Sequence, residues 1–190
     1  MEAILQLLII LDSTEPPIWR RVQVPAKINF RELHEVLQVA MGWENLHLYE
    51  FNCEGYRIGE ILNEPELEGF GSNELLDADT TLITDLIQEN SEHFHYTYDF
   101  GDFWEHTVVM EKSMPADPAV FYPYCLGGEM SCPPEDSGGI RNYYDYLEIL
   151  KDRKHPEYNE SRIWVGRAFD PLKFEPDKVN RRLRQLKTGM

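Results

Sequence analysis

The stretch from Asn29 to Gly42 constrains the fold more tightly than any other part of the chain. Asn29 is placed to cap a helix, Glu32 completes a capping box, and Ile28 and Leu33 occupy the two staple positions. Leu33, Val36, Leu37, Ala40 and Met41 recur at helical spacing as one apolar stripe, and Gly42 suits a left-handed stop. Such a helix must lie on an apolar surface, and the flanking sequence supplies strands to build one. Ile4 to Leu11 is an unbroken, mostly apolar run, Asp12 to Pro17 is a turn cluster, and Ile18 to Val24 alternates apolar and polar. Leu46 to Phe51 again reads as a strand. The resulting ββαβ opening predicts an α+β fold, with helices packed on one face of a mostly antiparallel sheet.

Further along, Glu60 to Asp79 is rich in carboxylates with Pro65, Gly69 and Gly71, and reads as a solvated loop. Leu82, Ile83, Leu86 and Ile87 suggest a short helix. Phe94, Tyr96, Tyr98 and Phe100 alternate strictly, with a partner strand from Trp104 to Glu111, so a hairpin is expected over 94–111. Residues 113–139 are loop-rich, a helix is expected from Ile140 to Lys151, and a final short helix from Asp177 to Lys187. No internal repeat or second core calls for a boundary, so one domain is expected over 1–190.

Charge narrows the partners. The chain carries 34 acidic and 18 basic side chains, net -16. Residues 50–105 hold 15 carboxylates against Arg57 alone, net -14, whereas 1–49 are net -2 and 106–190 are balanced. So acidic a surface repels phosphate backbones and anionic lipid. A protein or small ligand is the expected partner, nucleic acid is disfavoured for the surface as a whole, and no membrane association is expected. The N-terminus lacks a basic region and a cleavage site, and the three cysteines Cys53, Cys125 and Cys132 are too few for a disulfide scaffold. The expected location is the cytoplasm.

The hairpin carries the densest chemistry. With Gly101-Asp102 as a two-residue turn, Asp99 opposes Trp104, Thr97 opposes His106 and His95 opposes Val108. His95, Asp99 and His106 then share a face, a donor set suited to a divalent metal such as zinc. The plainer alternative has Asp99 and Asp102 making turn hydrogen bonds while the histidines sit on the sheet surface. A one-residue change in turn length would turn His106 to the other face. Glu135 and Asp136 can act as oxygen ligands or as acid and base, or can favour the helix that follows them. His47 and His155 read as isolated packing or surface residues. Nucleophile-elbow, phosphate-loop and dinucleotide-binding motifs are absent from the sequence.

Several segments together carry a resemblance: Pro17-Ile18-Trp19-Arg20-Arg21, Leu33-His34 with Gly42-Trp43, His47-Leu48, and Tyr98 through His106 including Asp99, Asp102 and Trp104. Cys132-Pro133-Pro134-Glu135-Asp136 with Gly138-Gly139, and Phe169-Asp170-Pro171, complete the set. In this order, over about 17–171, the chain resembles the plasmid pRi ORF-3-like family, passenger TnpR-like proteins of insertion elements. Ser137 departs from the bulkier residue or cysteine that many relatives carry there. The resemblance implies a single α+β domain and an association with mobile elements, and marks Trp19, Arg20, Asp99, Asp102, Trp104, His106, Glu135 and Asp136 as the candidate functional motif. Recombination would need arginines framing a nucleophile, which this composition does not offer. A non-catalytic binding or adaptor module is therefore expected first. The alternative is a metal-dependent hydrolase using Asp99, Asp102 and His106.

Overall fold

The structure is a computed structural model that describes residues 3–61, 75–87, 93–166 and 168–186. Its first two strands, β1 (Ala3–Leu11) and β2 (Ile18–Pro25), pair antiparallel, and α1 (Phe30–Met41) follows. The capping box is present as the sequence predicts. Glu32 N–H donates to Asn29 Oδ1 at 2.7 Å, and Asn29 N–H donates to Glu32 Oε2 at 3.2 Å. Gly42 ends the helix at φ 106°, its N–H donating to the Gln38 carbonyl. The stripe Leu33, Val36, Leu37, Ala40 and Met41 is buried, each larger side chain contributing about 1.5–3 kcal/mol by leaving water.

The remaining strands are β3 (Tyr49–Cys53), β4 (Tyr56–Gly59), β5 (Leu75–Asp77), β6 (His93–Tyr98), β7 (Trp104–Pro115) and β8 (Tyr124–Glu129). All eight form one sheet in the order β5-β4-β3-β6-β7-β1-β2-β8, antiparallel except for the parallel pair β4–β5. Helices α2 (Ile83–Leu86), α3 (Gly139–Lys151), α4 (Tyr158–Trp164) and α5 (Pro176–Leu183) complete the chain. The core lies on the sheet face that carries Leu7, Ile9, Val22, Phe51, Tyr96 and Val108, all fully buried together with the α1 stripe. Helix α5 packs against α1 and β8.

Three departures from the sequence expectations have physical causes. The strand expected from Leu46 begins only at Tyr49, because the Leu46 and His47 amides donate to the Tyr98 hydroxyl at 2.9 and 3.3 Å instead of joining a ladder. The segment expected as loop over 113–139 contains β8, whose glycines allow a close approach. A Cβ on Gly128 would lie 2.5 Å from the Trp19 carbonyl oxygen and 2.9 Å from Arg20 Cδ. The edge of β8 is satisfied by a side chain: Asn180 accepts from the Cys125 N–H at 2.7 Å and donates to its carbonyl at 2.9 Å. The acidic loop expected over 60–79 lies mostly outside the described residues, and its described end, Leu75–Asp77, pairs as β5.

A further departure, in the hairpin, reorganises the site. In the β6–β7 hairpin Tyr98 opposes Trp104, Tyr96 opposes His106 and His95 opposes Thr107. The turn spans five residues, 99–103, rather than two, and the register moves by one.

Candidate metal centre

That shift separates the three residues expected to share a metal. His95 is exposed on the outer face, whereas His106 is fully buried on the core face. His106 Nδ1 faces the Tyr96 carbonyl oxygen at 3.2 Å, and its ring stands edge-on to Trp43 at 5.4 Å. Burial pushes its pKa down to about 4. His106 Nε2 and Trp104 Nε1, both buried, have no hydrogen-bond partner among the described residues.

Other motif residues also serve the fold. Arg20 is buried and carries no carboxylate partner among the described residues. Its Nε donates to the Ala40 carbonyl at 2.9 Å and its Nη1 to the Trp19 and Glu129 carbonyls at 2.7 Å each, with the Phe174 ring 4.0 Å away. The guanidinium thus ties the end of α1 to β2 and β8, and burial lowers its pKa. Trp19 donates through Nε1 to Glu129 at 3.2 Å. Asp102 accepts the Gly138 N–H at 2.8 Å, and Gly139, at φ 79°, lies so close that a Cβ would meet the Asp102 carbonyl oxygen at 2.8 Å. Neither glycine position tolerates a side chain, for reasons of conformation and of space.

This Asp102 contact docks the Glu135-Asp136 loop onto the hairpin turn. Trp43 reinforces it by donating to the Pro133 carbonyl at 3.0 Å. Glu135 accepts the Glu44 N–H at 2.7 Å and the Tyr98 hydroxyl at 3.1 Å, and its pKa is raised, chiefly by burial. Asp99 adopts φ 58°, a left-handed conformation that Asp tolerates, and its Oδ1 accepts the Gly101 N–H at 2.8 Å.

The docking brings a third segment into play, just ahead of β3. His47 Nε2 lies 3.0 Å from Asp136 Oδ1 and 3.7 Å from Asp99 Oδ2, and these three donor atoms lie within 4.8 Å of one another. Asp99, expected as a ligand, and Asp136, expected as an oxygen donor, are therefore brought together. His47, expected to be isolated, takes the place expected of His95 and His106. Its sequence signal was the His47-Leu48 pair among the segments that carry the family resemblance, since one histidine has no spacing to read. The side chains of His47, Asp99 and Asp136 are 30%, 9% and 66% exposed, so the cluster opens outward from a nearly buried base. Exposed Leu46, Leu48, Phe100 and Phe103 stand on the same two chain segments. Among the described residues, no Lys or Arg forms an ion pair with Asp99, Glu135 or Asp136.

Comparison with known proteins places these motifs in a recognised group. The model of the plasmid pRiA4b ORF-3-like protein family matches residues 3–178. An uncharacterised protein of Sinorhizobium fredii, y4hQ, is 38% identical over 164 residues, covering 86% of this chain and 81% of its own length. A protein of unknown function from Methanosarcina mazei Go1, MM3350, has a crystal structure similar to this one, with a TM-score of 0.84 and 36% identity. That match covers 93% of this chain and 97% of the other.

Proposed function

We propose, from the premise that this chain belongs to the plasmid pRiA4b ORF-3-like family, that it is a non-catalytic binding module for a cationic ligand. The single observation that carries this reading is the convergence of Asp99 and Asp136 on His47, with Glu135 next along the same loop and no Lys or Arg paired to these carboxylates among the described residues. Like charges held together in a fold are offset most directly by a bound cation. The exposed apolar side chains Leu46, Leu48, Phe100 and Phe103 suit a small ligand or a protein partner that presents its positive group amid apolar surface.

A hydrolase using Asp99, Asp102 and His106 has less support. Asp102 is engaged by Gly138, and His106 is sealed in the core, so these side chains have no common opening. Nothing in the described basic residues favours recombination, and no helix among the described residues is long and apolar enough to cross a membrane. The test is titration of the isotope-labelled chain, separately with a short leucine- and lysine-containing peptide and with divalent cations. Amide signals from 44–48, 99–103 and 135–138 should move together with at least one of them. Shifts confined to other regions, or none with either probe, would sink the reading.

A further inference from the structure

We infer that the cationic occupant of this site is a divalent transition-metal ion, zinc foremost, held by His47 Nε2, Asp99 Oδ2 and Asp136 Oδ1. This rests on the cationic-ligand reading and deepens it by naming the ligand. The first argument is spacing. Zinc bonds to nitrogen and oxygen ligands at about 2.0–2.2 Å, which places neighbouring ligands of a tetrahedral site ~3.4 Å apart. The separations of 3.0 and 3.7 Å from His47 to the two carboxylates bracket that edge, and no pair exceeds 4.8 Å.

The donor chemistry selects the ion. A Lys ammonium or Arg guanidinium is met by acceptors, and a site for one gains little from an imidazole. Calcium and magnesium take oxygen donors, whereas one imidazole with two carboxylates suits zinc and its neighbours. Asp99 supplies an independent sign. Its side chain is nine-tenths buried, yet Oδ2 accepts no hydrogen bond among the described residues and faces only the His47 ring at 3.7 Å. That oxygen stays reachable from outside, with its lone pairs free for water or a metal ion.

The surroundings are built to hold these ligands. The Gly101 amide fixes the other Asp99 oxygen, and the Asp102–Gly138 contact anchors the Asp136 loop. Three protein ligands, with Asp136 well exposed, leave outward coordination positions for water or a ligand oxygen. In the structure His47 Nε2 and Asp136 Oδ1 are at hydrogen-bond distance, and the ion takes the place of the proton between them.

The experiment uses the full chain, purified without a histidine tag and stripped with chelator. It is titrated calorimetrically with zinc, and in parallel with cobalt(II), whose visible absorption reports coordination. We expect one zinc per chain, weakened roughly tenfold or more by His47→Ala and by Asp136→Asn, and unchanged by His95→Ala. Both informative variants lie at the surface, and circular dichroism checks that they fold. Absence of saturable zinc binding, or affinity that survives both variants, overturns the metal assignment. Loss on His95→Ala comparable to that on His47→Ala overturns it too. If zinc fails while the lysine peptide still shifts the 44–48, 99–103 and 135–138 amides, the metal is wrong and the cationic site stands. If neither binds, both readings fall.

Discussion

The molecule treats two groups of motif side chains oppositely. On α1 and the strands it covers, His34, Arg20 and His106 are shut into the core. His34 lies against the Tyr49 ring at 3.6 Å and faces the Tyr96 hydroxyl and the Asn45 side chain at 2.8 and 2.6 Å. At the end of the hairpin, Asp99 and Asp136 meet His47 in a cluster that opens outward, with no Lys or Arg paired to the carboxylates among the described residues. Residue types that look equally chemical in sequence are thus divided into a scaffold and an opening. Burial makes the division. A neutral imidazole can be sealed among aromatic rings, whereas two carboxylates beside each other need water or a cation within reach.

The sealed side should give the largest effects. Burial holds both His34 and His106 at about 4, below the ordinary histidine value of 6.5. The unfolded chain therefore takes up protons first as pH falls. The stabilisation is complete above about pH 6.5 and is lost as pH drops through about 4. Together the two rings should cost several kcal/mol over that window, at ~1.4 kcal/mol for each unit and each ring. Urea midpoints measured from pH 7 to 4.5 should fall steadily, and a flat profile would contradict the sealed assignment.

Arg20→Met comes next. It keeps much of the side-chain length but leaves the Ala40, Trp19 and Glu129 carbonyls without their donor. A loss of about 3–4 kcal/mol is expected from one buried and two half-buried carbonyls losing their charged donor, read as a lowered midpoint at constant slope. A near-neutral result would mean that Arg20 faces a ligand rather than the fold.

Asp102→Ala tests the join between the two regions. Removing the acceptor for Gly138 should cost about 1–2 kcal/mol. The sharper readout is position: amide signals of 135–139 should shift, because the loop loses its anchor to the turn. If those signals stay fixed, Asp102 does not place Asp136.

His47→Ala should have the smallest effect on stability, within ~0.5 kcal/mol, since a partly exposed pair contributes little. A loss as large as that from Arg20→Met would move His47 from the opening into the scaffold and erase the contrast.

Much of the frame was legible from local rules. The helix from Asn29 to Gly42 needs only its caps and stripe, and the hairpin strands need only alternation, so both are present with nearly the expected bounds. The site was harder to read. Asp99, Glu135 and Asp136 stood out by composition. His47 did not, because its partners lie 52 and 89 residues away and meet it only through the loop docking.

The sequence by itself determined the ββαβ opening, the acidic bias and the two motifs, because caps, periodicity and charge are properties of neighbouring residues. Tertiary structure decided which histidine belongs to the carboxylates. A five-residue turn in place of a two-residue one shifts the register by one, and in a strand of period two that sends His106 into the core. The Asp102–Gly138 contact then draws a distant loop to the turn and completes the cluster with His47. Turn length and loop docking are settled by packing across the whole sheet, which no local pattern records.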